Sequence, residues 1–337
     1  MRYIIIGAGA VGGSIGGRLH ESGHDVVLVA RGAHYDALRA HGLRLRVPTG
    51  TLTLAVPVVD RPEDVELQGG DTLVLAVKTQ DSTAALDAWS SRPVTGGGTA
   101  GERLPLVCAQ NGVENERLAL RRFRRVYGMC VVLPSTHVTP GEVIAPCGPR
   151  TGALVLGRCP EGVDDTGRQI AADLEKSSFL APVVPDVMRW KYGKLLGNLA
   201  NAVDAVCGEE PGPAAQDLVT RARAEGVAAL EAAGIPYTRG AVFAELRTGA
   251  VEVQPTDGER GLGSSWQSVV RGTGSIETDY LNGEIALLGR QYGVATPVNE
   301  VLQRTASESA RERREPGRIT AAQLVALADT PASAAAG

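Results

Sequence analysis

Along the first half of the chain, uninterrupted apolar runs of strand length alternate with stretches whose apolar residues recur at helical spacing. "YIIIGAG" at the N-terminus predicts a buried strand, residues 11 to 22 a helix, "DVVLVAR" a second strand and "DTLVLAVKT" a later one; "LPLVCAQNG" and "RVYGMCVVLP" continue the series. Strands that are apolar throughout have both faces buried, and their alternation with helices predicts a parallel sheet covered on each side. "SSRPVTGGGTAGERLP" (residues 90 to 105) reads as a Gly-rich surface insertion, and "GEVIAPCGPRTGALVLGR" as turn-linked strands extending the sheet in antiparallel fashion. After Pro182 and Pro185 the pattern changes to helices, interrupted at "GEEPGP" and "QPTDGERGLGSS". The expected organisation is an α/β domain over 1–184, an all-helical domain over 185–315 and a partly disordered tail over 316–337, frayed at the low-complexity "PASAAAG".

One helical stretch breaks the usual apolar stripe. "WKYGKLLGNLANAVDA", Trp190 to Ala205, carries two lysines and two asparagines among leucines and alanines. Treated as one helix at about 100° per residue, it places Asn198 about 40° from Lys194, Asn201 about 20° the other way and Lys191 about 60° round. Amines and amides thus share a face that an ordinary amphipathic helix gives to leucine.

Composition narrows the class. A chain of 337 residues suits two domains, and 43% hydrophobic with 21% charged residues are ordinary values for a folded soluble protein. A net charge of −4 gives no bulk reason to expect a nucleic-acid partner, and "RRFRR" (Arg121 to Arg125) reads as a solvated face. The five cysteines are odd in number and widely spaced, with no C-x-x-C, and the five histidines are scattered, so neither a disulfide framework nor a metal site is expected. Met1 runs straight into the first strand, without a signal-peptide layout, and no apolar stretch is long enough to span a bilayer. The expectation is a cytoplasmic chain with reduced thiols and no membrane partner.

The first strand ends in "GAGAVGG", which sets Gly7, Gly9 and Gly12 in G-x-G-x-x-G spacing between a strand and a helix. Gly7 permits a tight turn, Gly9 lets backbone approach a pyrophosphate, Gly12 lets helix pack on strand, and the helix N-terminus presents N–H groups to the phosphates. The loop residues Gly7, Ala8, Gly9, Ala10, Val11 and Gly12 are therefore candidate cofactor ligands, and the N-terminal domain is expected to be of Rossmann type. At the end of the second strand, where an acid would bind a free ribose 2′-hydroxyl, stands Arg31. A guanidinium there pairs with a 2′-phosphate, which favours NADP(H) over NAD(H). "QNG" ends another strand with Asn111, either a ligand-contacting amide or the first residue of an Asn-Gly turn. Lys78 in "AVKTQD" ends a further strand, near cofactor or in solvent.

Hydride delivery to a ketone leaves an alkoxide, which needs a proton donor and positive charge near the oxygen. A lysine partly desolvated beside neutral amides can serve, and the polar stripe supplies that set.

"GAGAVGG", "LVARG", "AVKT", "QNGVEN", the Lys–Asn helix, "GSIETDYLNGEI" and "TPVNEVL" occur in this order over residues 1 to about 305. Together they resemble the ketopantoate reductase family, the NADPH-dependent 2-dehydropantoate 2-reductases. The resemblance implies that Lys194 is the general acid, with Lys191 the rival on the same face, and that Asn198 contacts substrate. It expects a second asparagine eight residues after the lysine; here that position is Ala202, and Asn201 stands one residue earlier. It further implies that Glu277 orients the lysine or accepts from substrate hydroxyls, that Ser265 binds the substrate carboxylate, that Asn111 lies between nicotinamide and substrate, and that Lys78 serves the cofactor. The family's S-S-M-x-Q-D is here "SSWQS", with Trp266 for Met and Ser268 for Asp, so the substrate is the point of departure. The implied reaction is NADPH-dependent reduction of a small keto acid, 2-dehydropantoate to (R)-pantoate for pantothenate synthesis, with room for a homodimer. A related reductase for another keto acid or an imine, and a non-catalytic NADP(H)-binding protein, stay open.

Overall fold

The computed structural model describes residues 1–208, 212–255, 264–272 and 274–330. The chain forms two compact units: Met1–Lys191 with Thr238–Arg260, and Tyr192–Tyr237 with Gly261–Gly337.

The first unit is built on an eight-stranded sheet of β1 (Arg2–Ile6), β2 (Asp25–Val29), β3 (Val58–Val59), β4 (Asp71–Leu75), β5 (Pro105–Cys108), β6 (Arg125–Val132), β7 (Gly152–Arg158) and β8 (Phe179–Leu180). Their order across the sheet is β8-β7-β6-β5-β4-β1-β2-β3. The strands β1 to β6 run parallel, β7 pairs antiparallel with β6, and β8 pairs parallel with β7. The apolar run of β1 explains why it is central. Tyr3 and Ile5 point into one layer with Ile15 and Leu19, whereas Ile4 and Ile6 point into the other with Leu86 and Trp89. Each fully buried isoleucine contributes roughly 1.5–3 kcal/mol, so the strand is held from both faces.

The helix Ala10–Glu21 lies between two layers, and paired glycines make that possible. A side chain at Gly16 would collide with Leu28 of β2, and one at Gly17 with Leu43 and Leu45 of a three-stranded sheet. That second sheet joins Leu43–Val47 to Gly50–Leu54 and to Glu142–Ile144. The turn-linked strands expected after residue 141 therefore divide: Gly152–Arg158 extends the main sheet, Glu142–Ile144 leaves it, and Cys147–Pro149 pairs with Val251–Val253. The Gly-rich insertion contains a short helix, Ala100–Arg103, closed by a reciprocal Thr99–Glu102 cap. In "RRFRR", Phe123 is buried, Arg122 pairs with Asp87 at 2.5 Å and Arg125 donates to Thr166.

The described residues of the second unit form no strand. Their helices are the end of Val187–Asn198, then Asn201–Cys207, Pro213–Ala232, Ser264–Val270, Asn282–Tyr292, Pro297–Arg311 and Ala321–Asp329. Pro297–Arg311 buries Val298, Val301, Leu302, Thr305, Ala306 and Ser309, the spacing of one helical face. Gly226 lets Leu196, Leu199 and Ile285 close on the Pro213–Ala232 helix.

The boundary between units differs from the one expected at residue 184. It falls inside the helix Val187–Asn198, after Lys191, and the segment Thr238–Arg260 returns to the first unit. The Trp190 ring, packed edge-on against Phe243 at 5.3 Å, helps hold that returning segment. The expected tail contains a helix, Ala321–Asp329, with a Thr320–Gln323 capping box and buried Ala321, Leu324 and Ala328. Arg221 pairs with Asp329 at 2.7 Å at its end. Residues 331–337, "PASAAAG", lie outside the described residues.

Candidate functional site

Within the first unit, the sequence-predicted cofactor residues all stand at the carboxyl ends of adjacent parallel strands: Gly7–Gly12 after β1, Arg31 after β2, Lys78 after β4 and Asn111 after β5. This is where open α/β sheets bind ligands. Gly7 has φ of +100°, and a Cβ there would sit 2.8 Å from the Val77 backbone nitrogen. Its N–H and that of Ala8 both donate to the Val29 carbonyl at 3.1 Å, which bends the chain tightly from strand to helix. A Cβ on Gly12 would overlap the Gly7 carbonyl oxygen, whereas one on Gly9 would meet nothing within 4 Å. Turn, open approach and close packing thus fall on the three glycines as their spacing requires. The space over Gly9 at a helix N-terminus fits a pyrophosphate.

Arg31 is exposed and precedes the helix Gly32–His41, where positive charge opposes the helix dipole. A phosphate at that position would answer both the guanidinium and the helix end. Asn111 is half-buried, and Gly112 after it has φ of +77°, so the Asn-Gly turn is present and carries Asn111 on it.

Sequence reasoning missed what holds these strand ends. Buried Asn115 donates to the Thr79 hydroxyl at 3.0 Å and accepts from Ser82 at 2.7 Å. Gln110 donates to Ser82 at 2.8 Å and to the Val77 carbonyl at 2.9 Å. The loops bearing Lys78 and Asn111 are therefore laced together by side chains at full burial. Asn115 and Gln110 stood in the quoted "QNGVEN", but nothing in their spacing announced a network.

The two lysines of the polar stripe separate cleanly. Lys191 is 3% exposed and ion-paired with Glu116, itself buried in the helix Asn115–Leu120 that follows Asn111. Burial pulls the Lys191 ammonium down, but Glu116, with Cys108 beside it, outweighs that and the net is upward. The same burial, reinforced by Glu116, raises the thiols of Cys108 and Cys159, the latter to about 12. None of the five cysteines forms a disulfide, and all are buried.

Lys194, half-buried, hydrogen-bonds the Asn198 side-chain oxygen one turn along. Asn198 is 4% exposed, and its amide nitrogen has no partner. The stripe does not extend to Asn201 as one helix. The helix ends at Asn198, Leu199 and Ala200 form a turn, and Asn201 opens a new helix, so the helical phase computed from Lys194 is lost there. At this break Asn282 donates to the Leu199 carbonyl at 3.2 Å, taking that carbonyl out of the helical ladder.

Glu277 is buried in the 3-10 turn Glu277–Tyr280, which leads into the helix Asn282–Tyr292. Asp279 is exposed and accepts from Gln303 at 2.9 Å, a surface role. Ser265 and Ser268 are buried on the helix Ser264–Val270, which packs against Asn201–Cys207; Trp266 is half-buried. The second unit thus carries Lys194, Asn198, Asn201, Ser265 and Glu277: Asn282 ties the Glu277 segment to the end of the Lys194 helix, and Ser265's helix packs against Asn201's.

Residues 3–160 match the family model described as "Ketopantoate reductase PanE/ApbA", and residues 186–309 match its C-terminal counterpart. A relative from Mesorhizobium japonicum named 2-dehydropantoate 2-reductase is 31% identical, over 93% of this chain and 99% of its own. One from Archaeoglobus fulgidus bearing the same name is 26% identical, over 89% and 95%. The crystal structure of a PanE/ApbA family ketopantoate reductase from Ralstonia eutropha JMP134 superimposes with a TM-score of 0.76 at 26% identity, covering 94% of this chain and all of that one. A D-mandelate dehydrogenase solved with NADH and anilino(oxo)acetate shares the fold, at a TM-score of 0.77 and 22% identity over 93% and 99% of the two chains. An α/β unit with a dinucleotide loop, joined to a helical unit with a lysine–amide pair, is accordingly that of an oxidoreductase acting on CH–OH groups. The chain belongs to the ketopantoate reductase family, whose members reduce keto acids. No helix among the described residues is long and apolar enough to cross a membrane.

Proposed function

We propose that the protein reduces 2-dehydropantoate to (R)-pantoate with NADPH, Lys194 acting as the proton donor. The observation that carries this reading is the Lys194–Asn198 pair: an ammonium bonded to a neutral amide whose own nitrogen is buried and unpartnered. Such a pair offers an oxyanion a proton, a positive charge and a second donor, and the amide adds no charge that would oppose the lysine. Lys191 is unsuited to the task, because its charge is committed to Glu116 in the interior.

The loop Gly7–Gly12 would hold the pyrophosphate, Arg31 the 2′-phosphate and Lys78 the phosphate or ribose; when bound, the nicotinamide supplies the hydride. Asn111 contacts nicotinamide and substrate, Ser265 the substrate carboxylate, Asn198 and Asn201 its oxygens, and Glu277 orients Lys194 or accepts from substrate hydroxyls. Asn201 keeps this role by standing at the start of the helix beside Ser265's, not by helical phase with Lys194.

The test is NADPH oxidation over a panel of keto acids, with NADH as control. Turnover of 2-dehydropantoate in preference to the others supports the substrate. Preference for a different keto acid or an imine would move the protein to a related reductase, and the exchange of Met and Asp for Trp266 and Ser268 is where that change would lie. No turnover of any member would sink the reductase reading.

A further inference from the structure

Buried polar groups in the second unit form a second system behind the lysine–amide pair. Asn282 and Asn299 are fully buried, and each spends its side-chain amide on backbone. Asn282 donates to the Leu199 carbonyl at 3.2 Å and to the Asn299 side-chain oxygen at 3.0 Å. Asn299 donates in turn to the Ala222 carbonyl at 3.0 Å and to Glu225 at 2.7 Å. Glu225 closes the system by accepting from the backbone N–H of Val298 at 2.9 Å and of Asn299 at 3.0 Å. There it also answers the N-terminal dipole of the helix Pro297–Arg311, which opens on a proline.

Four elements are thereby locked to one another: the end of the Lys194 helix, the Glu277–Asn282 segment, and the helices Pro213–Ala232 and Pro297–Arg311 that meet at Glu225. The first lock has a visible effect on backbone. In an unbroken helix the Val203 N–H would take the Leu199 carbonyl, four residues back. Instead it takes Ala200 at 3.0 Å, while Leu199 goes to Asn282. Asn282 therefore holds the carbonyl of the first residue beyond the helix end at Asn198, and it lies five residues after Glu277.

We propose that Asn282, backed by Asn299 and Glu225, is a positioning residue for the reduction, ending the Lys194 helix at Asn198 and registering that end against Glu277. This rests on the reductase reading above. Asn282 touches no reacting atom; it acts through Lys194.

A double-mutant cycle on the intact protein tests it, with Asn282→Ala and Lys194→Ala made singly and together. Asn282→Ala is expected to lower kcat for the keto acid by about 10- to 100-fold while the NADPH dissociation constant, read by fluorescence, stays within about twofold. In the Lys194→Ala background it should cost nothing further, because the route through Lys194 is already closed. Additive losses, or a folded Asn282→Ala enzyme with unaltered kcat, would overturn the proposal. If Asn282→Ala does not fold, Glu225→Gln decides, with a smaller loss of kcat expected and none overturning it. Amide hydrogen exchange supplies a readout independent of turnover. In Asn282→Ala, or in Glu225→Gln where that variant alone folds, exchange should change at residues 199–203 and be unaltered in β1 and β2. An unchanged pattern at 199–203 removes the positioning role whatever the enzyme does, whereas a wild type inactive on every keto acid defeats the reductase reading alone.

Discussion

Lys191 and Lys194 stand three residues apart on one helix, and their surroundings could hardly differ more. Lys191 is sealed in the interior with a carboxylate, near the thiols of Cys108 and Cys130. Lys194 is half-exposed and leans on an amide. Two identical side chains thereby stand in different settings: one cancels a buried charge, the other bonds a neutral amide. The difference teaches that the chemistry of a lysine is settled by the element it meets, and a one-turn shift along a helix changes that element.

The contrast can be broken most sharply by exchanging the two losses. Lys194→Met should reduce kcat by roughly 10²- to 10⁴-fold, the worth of a positioned general acid, while denaturant unfolding moves by no more than about 1.5 kcal/mol. Lys191→Met should do the reverse, leaving Glu116 buried without a partner at a cost of about 3–5 kcal/mol in unfolding. If Lys191→Met abolishes kcat without lowering stability, the roles are misassigned. The pair can then be sharpened by Lys191→Met with Glu116→Leu. Removing both charges should recover most of the stability lost by the single change, since a packed apolar pair is often no worse than a buried ion pair.

The pH dependence follows from the same pair. The Lys191 ammonium is raised in the folded state above its unfolded value near 10.5. Its contribution to stability is therefore complete below about 10.5 and is lost as pH rises through the higher folded value. Wild-type unfolding free energy should decline in that alkaline window, and the Lys191→Met, Glu116→Leu protein should lack that component. A smaller effect tests the surroundings: with Cys108 and Cys159 pushed up by burial, thiol reagent at pH 8 should leave the native protein unlabelled and titrate all five cysteines after unfolding. Arg31→Ala, outside the comparison, should raise the KM for NADPH by roughly 10-fold or more, the worth of a charge-assisted contact, with little effect on NADH.

What could be read from the chain depended on how local the cause was. The parallel sheet and the dinucleotide loop were legible because β1 is apolar at every position and its glycines follow directly. The ion pair that buries Lys191 was not, because it turns on Glu116, distant in sequence and on another helix. Asn201 was placed by helical phase, and the phase failed where the helix breaks after Asn198, beside a carbonyl bonded by Asn282, a contact that no local pattern announces. The compact units depart from the expected boundary for a similar reason: residues 238–255 read as part of the helical domain, yet Val251–Val253 pairs with Cys147–Pro149 in the first unit. The terminal helix Ala321–Asp329 falls within the tail expected to be partly disordered, and its Thr320–Gln323 cap was present in the sequence.

The helix behind the dinucleotide loop has a consequence for how the protein folds. Gly12, Gly13, Gly16 and Gly17 let it fit between two sheets, but each costs about 1 kcal/mol of helix propensity relative to alanine. A helix so composed has little standing alone and gains its shape only when both layers are in place. The phosphate-facing turn should therefore be absent from early, locally ordered states of the chain and appear together with the assembled sheet. Competence to bind a dinucleotide would then report completion of the whole unit, with no partly folded species able to hold the ligand.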